Sequence, residues 1–261
     1  MNKEGRFKRM FVYFYTRFYR LIKFLYYVIK FLRIYKILKE FQVVDVRIFR
    51  YKMWHHGYCY FTAYKNNIKV FIKIDTKLLI LINEVTFYDE MDAEIQHYLT
   101  PLVTSSFAEN IHAVVFEYLD GYVELDDKVL LLNTRYFDDI LSILKSMKSK
   151  GVVHRDIKLN NFLVKENSIK IIDFTFAISL KKVSAYKELD INTRKNFEIL
   201  QGLGMKGYPL DFQWNDFIAV KNIINEIENT HQLNDTTKAL LAEYKSVFEA
   251  HSSGCTYKVY K

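Results

Sequence analysis

The chain has only two cysteines, Cys59 and Cys255, in 261 residues. They stand far apart with no paired spacing, which excludes a disulfide framework and a cysteine-based zinc site and fits a reducing compartment. Long uncharged apolar runs are also missing. A membrane-crossing helix needs about 18 largely uncharged residues, whereas the longest charge-free runs near the start cover residues 10–16 and 24–29. No small-residue cleavage site follows a clean apolar core, so a secretory signal is not expected either. Residues 7–41 lack glycine and proline altogether, so nothing in them interrupts a helix.

Acidic residues are scarce where basic ones are dense. Residues 1–40 hold eleven lysines and arginines against Glu4 and Glu40, a surplus larger than the +8 of the whole chain, so everything beyond is close to neutral. The basic character belongs to the leader, and a nucleic-acid groove across the body is not expected. Within the leader, Arg17, Arg20, Lys23, Lys30, Arg33, Lys36 and Lys39 interleave with Phe, Tyr, Leu and Ile. That pattern reads as an interfacial helix whose cationic stems reach lipid phosphates while apolar side chains enter the acyl boundary. Packing against protein is the alternative. The cations before Lys23 and those after Lys30 fall on opposite sides of a helix, which suggests two helical segments or one helix with a second face against protein.

From Phe41 to Asp75 the pattern turns to strands over residues 43–49, 58–64 and 68–74, with Asn66-Asn67 as a turn between the last two. Residues 83–91 open a helix. Residues 113–118 form an apolar strand that leads into Leu119-Asp120-Gly121. Phe137, Ile140, Leu141, Leu144 and Met147 recur at helical spacing over residues 134–150, and Gly151 sits where a helix ends.

The most informative stretch spans residues 152–177. His154-Arg155-Asp156 is followed by Lys158 and Asn161, then by two apolar runs around the turn-prone Lys165-Glu166-Asn167-Ser168, and then by Asp173-Phe174-Thr175. The runs predict a hairpin. Phosphoryl transfer needs a carboxylate beside the attacking hydroxyl, together with a second carboxylate and an amide oxygen to hold magnesium. Asp156, Asp173 and Asn161 are the candidates for these groups. Farther on, residues 180–190 read as a polar loop and the next ten as helix. Gly202, Gly204, Gly207 and Pro209 mark a break, and Asp216 stands at the start of a helix reaching about Glu228.

These residues resemble the catalytic loop and metal-binding triplet of the protein-kinase-like superfamily over residues 41 to about 230. Within it the chain looks most like the bacterial kinases of lipopolysaccharide core heptose. The resemblance implies an α+β, bilobal protein-kinase-like fold, with a small β-rich N-lobe and a helical C-lobe, preceded by the basic aromatic helical segment. The implied divisions are residues 1–41 as a membrane-surface segment, 42–120 as the N-lobe and 121–261 as an abbreviated C-lobe. It implies ATP and Mg2+ as cofactors. Asp156 would orient or deprotonate the acceptor hydroxyl, Lys158 would steady the transferring phosphoryl group, and Asn161 and Asp173 would hold metal.

Lys73, which ends the strand Val70-Phe71-Ile72-Lys73, would grip the nucleotide phosphates and pair with Glu84, with Glu90 and Glu94 as substitutes. Backbone groups of Glu117 and Leu119 would meet the adenine edge, and Asp216 would receive backbone N–H groups of the catalytic loop. Four of these side chains, Lys73, Asp156, Asn161 and Asp173, are expected to converge on one nucleotide site.

The chain departs from ordinary protein kinases in three ways. Thr175 replaces glycine after Asp-Phe, no Ala-Pro-Glu string follows, and only Gly57 lies where a glycine-rich phosphate flap would be, beside His55-His56. Thr175, the missing Ala-Pro-Glu string and the fewer than about 90 residues that follow Asp173 favour, together with the leader, a lipid-linked glycan acceptor at the membrane, with the enzyme peripheral on the cytoplasmic face of a bacterial membrane. Lys158 favours a small serine/threonine protein kinase instead, and the missing flap together with Thr175 a pseudokinase scaffold.

Overall fold

Absence of helix breakers over the leader gives a single long helix. The computed structural model describes residues 3–54, 57–77, 79–91, 93–108, 110–179, 213–253 and 257–258. In it α1 runs unbroken over Lys3–Glu40. The expectation of two helical segments is therefore corrected to its alternative, one helix with a face against protein. Tyr27, Ile34, Ile37, Leu38 and Phe41 are buried in one cluster with Trp54, Phe61, Val70, Ile72 and Ile74. The Tyr27 hydroxyl donates to the Tyr58 carbonyl at 2.5 Å, and burial pushes this phenol's pKa up.

The chain divides into two compact units. The first comprises residues 1–79 and 104–115. After α1 come β1 (Val44–Ile48), β2 (Tyr58–Lys65) and β3 (Ile68–Asp75). With β4 (Leu102–Ala108) and β5 (Ile111–Glu117) they form a five-stranded sheet in the order β1-β2-β3-β5-β4. The β2–β3 hairpin pairs Lys65 with Ile68 and continues to Tyr58 opposite Asp75. Asn66 and Asn67 both take positive φ, 50° and 63°. Asparagine tolerates this region, and a two-residue turn of that hand matches the twist of the strands. Trp54 anchors the cluster through edge contacts to Tyr27 at 4.9 Å and Phe61 at 5.3 Å, and its ring nitrogen donates to the Phe49 carbonyl.

The second unit comprises residues 80–103 and 116–261. It contains α2 (Leu81–Glu90), α3 (Ala93–Gln96), β6 (Val123–Glu124), α4 (Asp127–Leu132) and α5 (Tyr136–Ser149). The short strands β7 (Val152–Val153), β8 (Phe162–Lys165), β9 (Ser168–Ile171) and β10 (Ile178–Ser179) follow. Beyond them lie β11 (Gln213–Trp214), α6 (Asp216–Thr230), α7 (Asp235–Ser252) and β12 (Tyr257–Lys258). The apolar stripe of α5 is buried through Phe137, Ile140, Ile143, Leu144 and Met147, and Gly151 at φ 69° turns the chain out of the helix toward β7. Asn215 caps α6 by accepting from the N–H groups of Phe217 and Ile218. Helix α7 packs on α5 through Tyr244 and Phe248 against Phe137, with ring centroids 4.7 and 6.4 Å away. The expected loop, helix and glycine break over residues 180–209 lie outside the described residues, as do His55 and His56.

Candidate active site

The predicted hairpin forms as β8 and β9, with Phe162 opposite Ile171 and Lys165 opposite Ser168. It joins two segments with unusual backbones, because Arg155 and Asp173 both take positive φ, 69° and 68°. A non-glycine residue in this region is disfavoured, and such strain persists only where surrounding bonds over-determine it.

Those bonds are visible at both segments. Asp216, buried at the start of α6, accepts from the backbone N–H of His154 at 2.6 Å and of Arg155 at 3.1 Å. One carboxylate thereby fixes the peptide immediately before Asp156, as expected for Asp216. His154 is fully buried and lies edge-on to Phe174 at 4.8 Å. Its Nδ1 accepts from the Asp156 N–H at 3.3 Å, so its Nε2 carries the proton donated to the Ile172 carbonyl at 3.1 Å. A single imidazole thus connects the residue beside Asp173 to the residue beside Arg155.

Asp156 is partly exposed. Lys158 Nζ lies 2.6 Å from its Oδ2. Asn161 Nδ2 donates to the Asp156 carbonyl at 2.8 Å and to Oδ2 at 3.1 Å. The Asn161 amide is therefore oriented by its nitrogen, which directs its carbonyl oxygen elsewhere. The Asn161 backbone carbonyl also accepts from the Ile172 N–H, adjacent to Asp173. Asp156, Lys158, Asn161 and Asp173 are thus held by one loop, one hairpin and one histidine.

The turn after Asp173, Phe174–Phe176, is gripped by α2. Asn83 Nδ2 lies 3.0 Å from the Thr175 carbonyl and 2.7 Å from that of Ala177. Thr175 Oγ1 is 2.8 Å from Asp173 Oδ1 and 3.3 Å from Glu84 Oε2. Tyr88 adds an edge contact to Phe174 at 5.7 Å. Glu84 is buried, and the Thr175 hydroxyl is among the groups close to its carboxylate. Asn83 and Thr175 were not anticipated as site residues. The only sequence signal for Asn83 is its place next to Glu84, while Thr175 registered as a departure.

The Glu117 N–H is taken by the Pro101 carbonyl at 2.9 Å, so what Glu117 can offer a base edge is its carbonyl. Leu119 begins the following turn, its carbonyl accepting from the Tyr122 N–H. Lys73 belongs to the first unit, buried on β3 opposite Tyr60 with its Nζ 5.7 Å from the Tyr58 ring centroid. Gly57, with φ 93°, is not the tip of a flap. A Cβ there would come within 2.5 Å of the Lys77 Cβ, and its carbonyl accepts from Thr76, so its freedom serves close packing at the end of β3.

One carboxylate and one amide oxygen suit a hard cation such as Mg2+, which typically takes one or two protein carboxylates and completes its shell with phosphate and water. Among the described residues no group of three or more His, Cys, Asp or Glu side chains could hold a metal by itself. Asp173 and Asn161 therefore fit a metal delivered with a nucleotide.

A buried aspartate fixing the His-Arg-Asp loop, followed by a hairpin and an Asp-Phe turn clasped by a helix, defines a phosphotransferase fold of the kinase type. The protein kinase domain family matches residues 51–195, more than half of the chain, and the chain belongs to that family. A protein of Acanthamoeba polyphaga mimivirus named as a serine/threonine-protein kinase is 44% identical over 69 residues, 24% of this chain and 11% of the relative. Calcium-dependent protein kinase 27 of Arabidopsis thaliana is 31% identical over 96 residues, 31% of this chain and 19% of the relative. A serine/threonine-protein kinase by name from Encephalitozoon cuniculi is 34% identical over 94 residues, 33% of this chain and 17% of the relative. The chain spans less than a fifth of the length of each of these relatives. Among solved structures, the BubR1 kinase domain aligns with a TM-score of 0.42 and 17% identity over 52% of this chain and 47% of its own.

Proposed function

We propose that this chain is a kinase that transfers the γ-phosphoryl group of ATP to a serine or threonine hydroxyl of a protein. The observation carrying the proposal is the Asp156–Lys158–Asn161 constellation, held by Asp216 and His154. Asp156 is the partly exposed carboxylate that orients the acceptor hydroxyl and takes its proton. Lys158, salt-bridged to it at 2.6 Å, lies where charge on the transferring group can be offset. Asp173 and Asn161 would hold Mg2+ carried in with ATP, which would offset charge at the phosphates. Lys73 is the lysine that the family resemblance assigns to the nucleotide phosphates, and the Glu117 carbonyl and Leu119 N–H are the groups offered to the adenine edge. The protein acceptor is favoured over a lipopolysaccharide core sugar by His154-Arg155-Asp156-Ile157-Lys158 and by the serine/threonine-kinase names of the relatives.

The test is transfer of labelled phosphate from magnesium-ATP to a serine/threonine peptide library and, in parallel, to lipopolysaccharide core oligosaccharide. Labelling of peptides but not glycan supports the proposal, and glycan labelling with inert peptides overturns the acceptor. If neither acceptor is labelled and millimolar magnesium-ATP does not raise the melting temperature, the chain is a scaffold rather than an enzyme. A ligand at 100 times its Kd would add about 2.7 kcal/mol.

A further inference from the structure

The long helix carries a second apolar face that the fold leaves uncovered. Tyr27, Ile34, Ile37 and Leu38 of α1 are buried in the first unit. At 3.6 residues per turn, Phe18, Leu21, Leu25, Val28, Ile29 and Leu32 fall on the opposite side of the helix. Each of these six is at least half exposed, with Ile29 and Leu32 at 77%. Spacings of three and four residues line them into one stripe along four turns of helix, and no charged residue interrupts it.

Its surroundings identify the occupant. Between residues 17 and 39 there are seven lysines and arginines and no carboxylate. Lys23 is turned inward, donating to the Tyr51 carbonyl at 2.8 Å and lying over that ring. Arg17, Arg20, Arg33, Lys36 and Lys39 are exposed beside or beyond the stripe. A second copy laid on this face would oppose cations to cations, with no acid on this stretch of α1 to pair them. A bilayer of anionic lipids meets both demands, since its acyl boundary takes the stripe and its phosphates take the long basic stems. Among the described residues no helix is long and apolar enough to cross a membrane. The helix therefore lies along the surface.

We propose that α1 docks this kinase lengthwise on anionic phospholipid bilayers through the Phe18–Leu32 stripe and its flanking cations. The interaction combines apolar burial with attraction to negative headgroups, so it weakens with salt.

The test is co-sedimentation of the full chain with phosphatidylcholine vesicles, with and without about a third phosphatidylserine, at low and high salt. The expected result is binding that needs phosphatidylserine, falls as salt rises, and drops at least roughly tenfold in Leu25→Glu/Ile29→Glu. Both substituted side chains point away from the buried face, so the double variant should keep wild-type peptide phosphorylation and melting temperature. A second variant, Arg17→Ser/Arg20→Ser/Arg33→Ser, should lose the phosphatidylserine dependence. Binding to neither vesicle overturns the proposal. Light scattering that shows a concentration-dependent dimer abolished by Leu25→Glu/Ile29→Glu also overturns it, because the stripe is then a self-association surface. Failure here leaves the kinase reading standing, since none of these residues belongs to the site.

Discussion

The Thr175 hydroxyl sits 2.8 Å from one oxygen of Asp173 and 3.3 Å from one of Glu84. A residue that replaces the glycine of the Asp-Phe-Gly triplet thus joins a proposed metal ligand to the carboxylate on α2. A hydroxyl has one proton, and the shorter distance gives it to Asp173. Thr175→Val keeps the shape and removes the donor, so it should cost about 1–2 kcal/mol of stability. It should also raise the Mg2+ concentration for half-maximal activity several-fold, while Thr175→Ser stays near wild type. Urea titration and Mg2+ dependence measure the two effects, and equal behaviour of the valine and serine variants would count against this role.

Asn83 should matter through the same turn. Its amide reaches the carbonyls of Thr175 and Ala177 from the start of α2. Asn83→Ala leaves the carbonyls of two buried residues without that donor and should destabilise by about 1–3 kcal/mol. Asn83→Asp should do no better, because a carboxylate cannot donate to a carbonyl. Protection of the Phe174–Ala177 amides against hydrogen exchange is the local readout, and it should fall in both variants.

Asp216 has no expected contact with substrate, yet its loss should damage activity. Asp216→Asn retains volume but offers only one acceptor oxygen to the N–H groups of His154 and Arg155. A loss of about 2 kcal/mol is expected, the size of a charge-assisted bond to a buried carboxylate. In kinetics kcat should fall more than KM for ATP changes, since the loop carrying Asp156 loosens while Lys73 is untouched. A variant with unchanged kcat would show that the loop holds its shape by other means.

Helix α7 should be integral to the second unit. Phe248 is fully buried against Phe137, and the Tyr244 hydroxyl donates to Asp138 at 3.1 Å. Phe248→Ala should cost about 3–5 kcal/mol, within the range for emptying a buried aromatic site. Tyr244→Phe should cost less, about 1 kcal/mol. Its phenol pKa is pushed up to about 12, first by burial and then by Asp138, so spectrophotometric titration of Tyr244→Phe should lack one of the tyrosines that ionise above the ordinary range in the wild type. A raised folded pKa means that stability held at neutral pH is lost only as pH climbs above the ordinary tyrosine value of about 10.

Legibility in the sequence followed how local the determining interactions are. The β8–β9 hairpin, the Asn66-Asn67 turn and the end of α5 at Gly151 were readable because turn chemistry and periodicity lie in adjacent residues. The placement of Asp156, Asn161 and Asp173 around that hairpin was readable for the same reason, whereas Asp216, 62 positions from His154, was reached only through the family resemblance. Strand β4 escaped notice because Thr104-Ser105-Ser106 gives no apolar alternation, and the strand is defined by its neighbour β5. Helix α1 read either as two segments or as one helix with a second face against protein, because cations on opposite sides of it blur any single stripe. Asn83 and Thr175 act across more than 90 positions of chain, and no pattern within either neighbourhood announces that contact.

The measurement that bears most directly on the central claim is phosphate transfer from magnesium-ATP to serine/threonine peptides by wild type and by Asp156→Asn. The substitution keeps the size of the side chain and removes the carboxylate that takes the acceptor proton. A loss of about a hundredfold or more in kcat with near-normal thermal stabilisation by magnesium-ATP is predicted, the scale of a missing general base. Equal transfer by the two proteins would contradict the account.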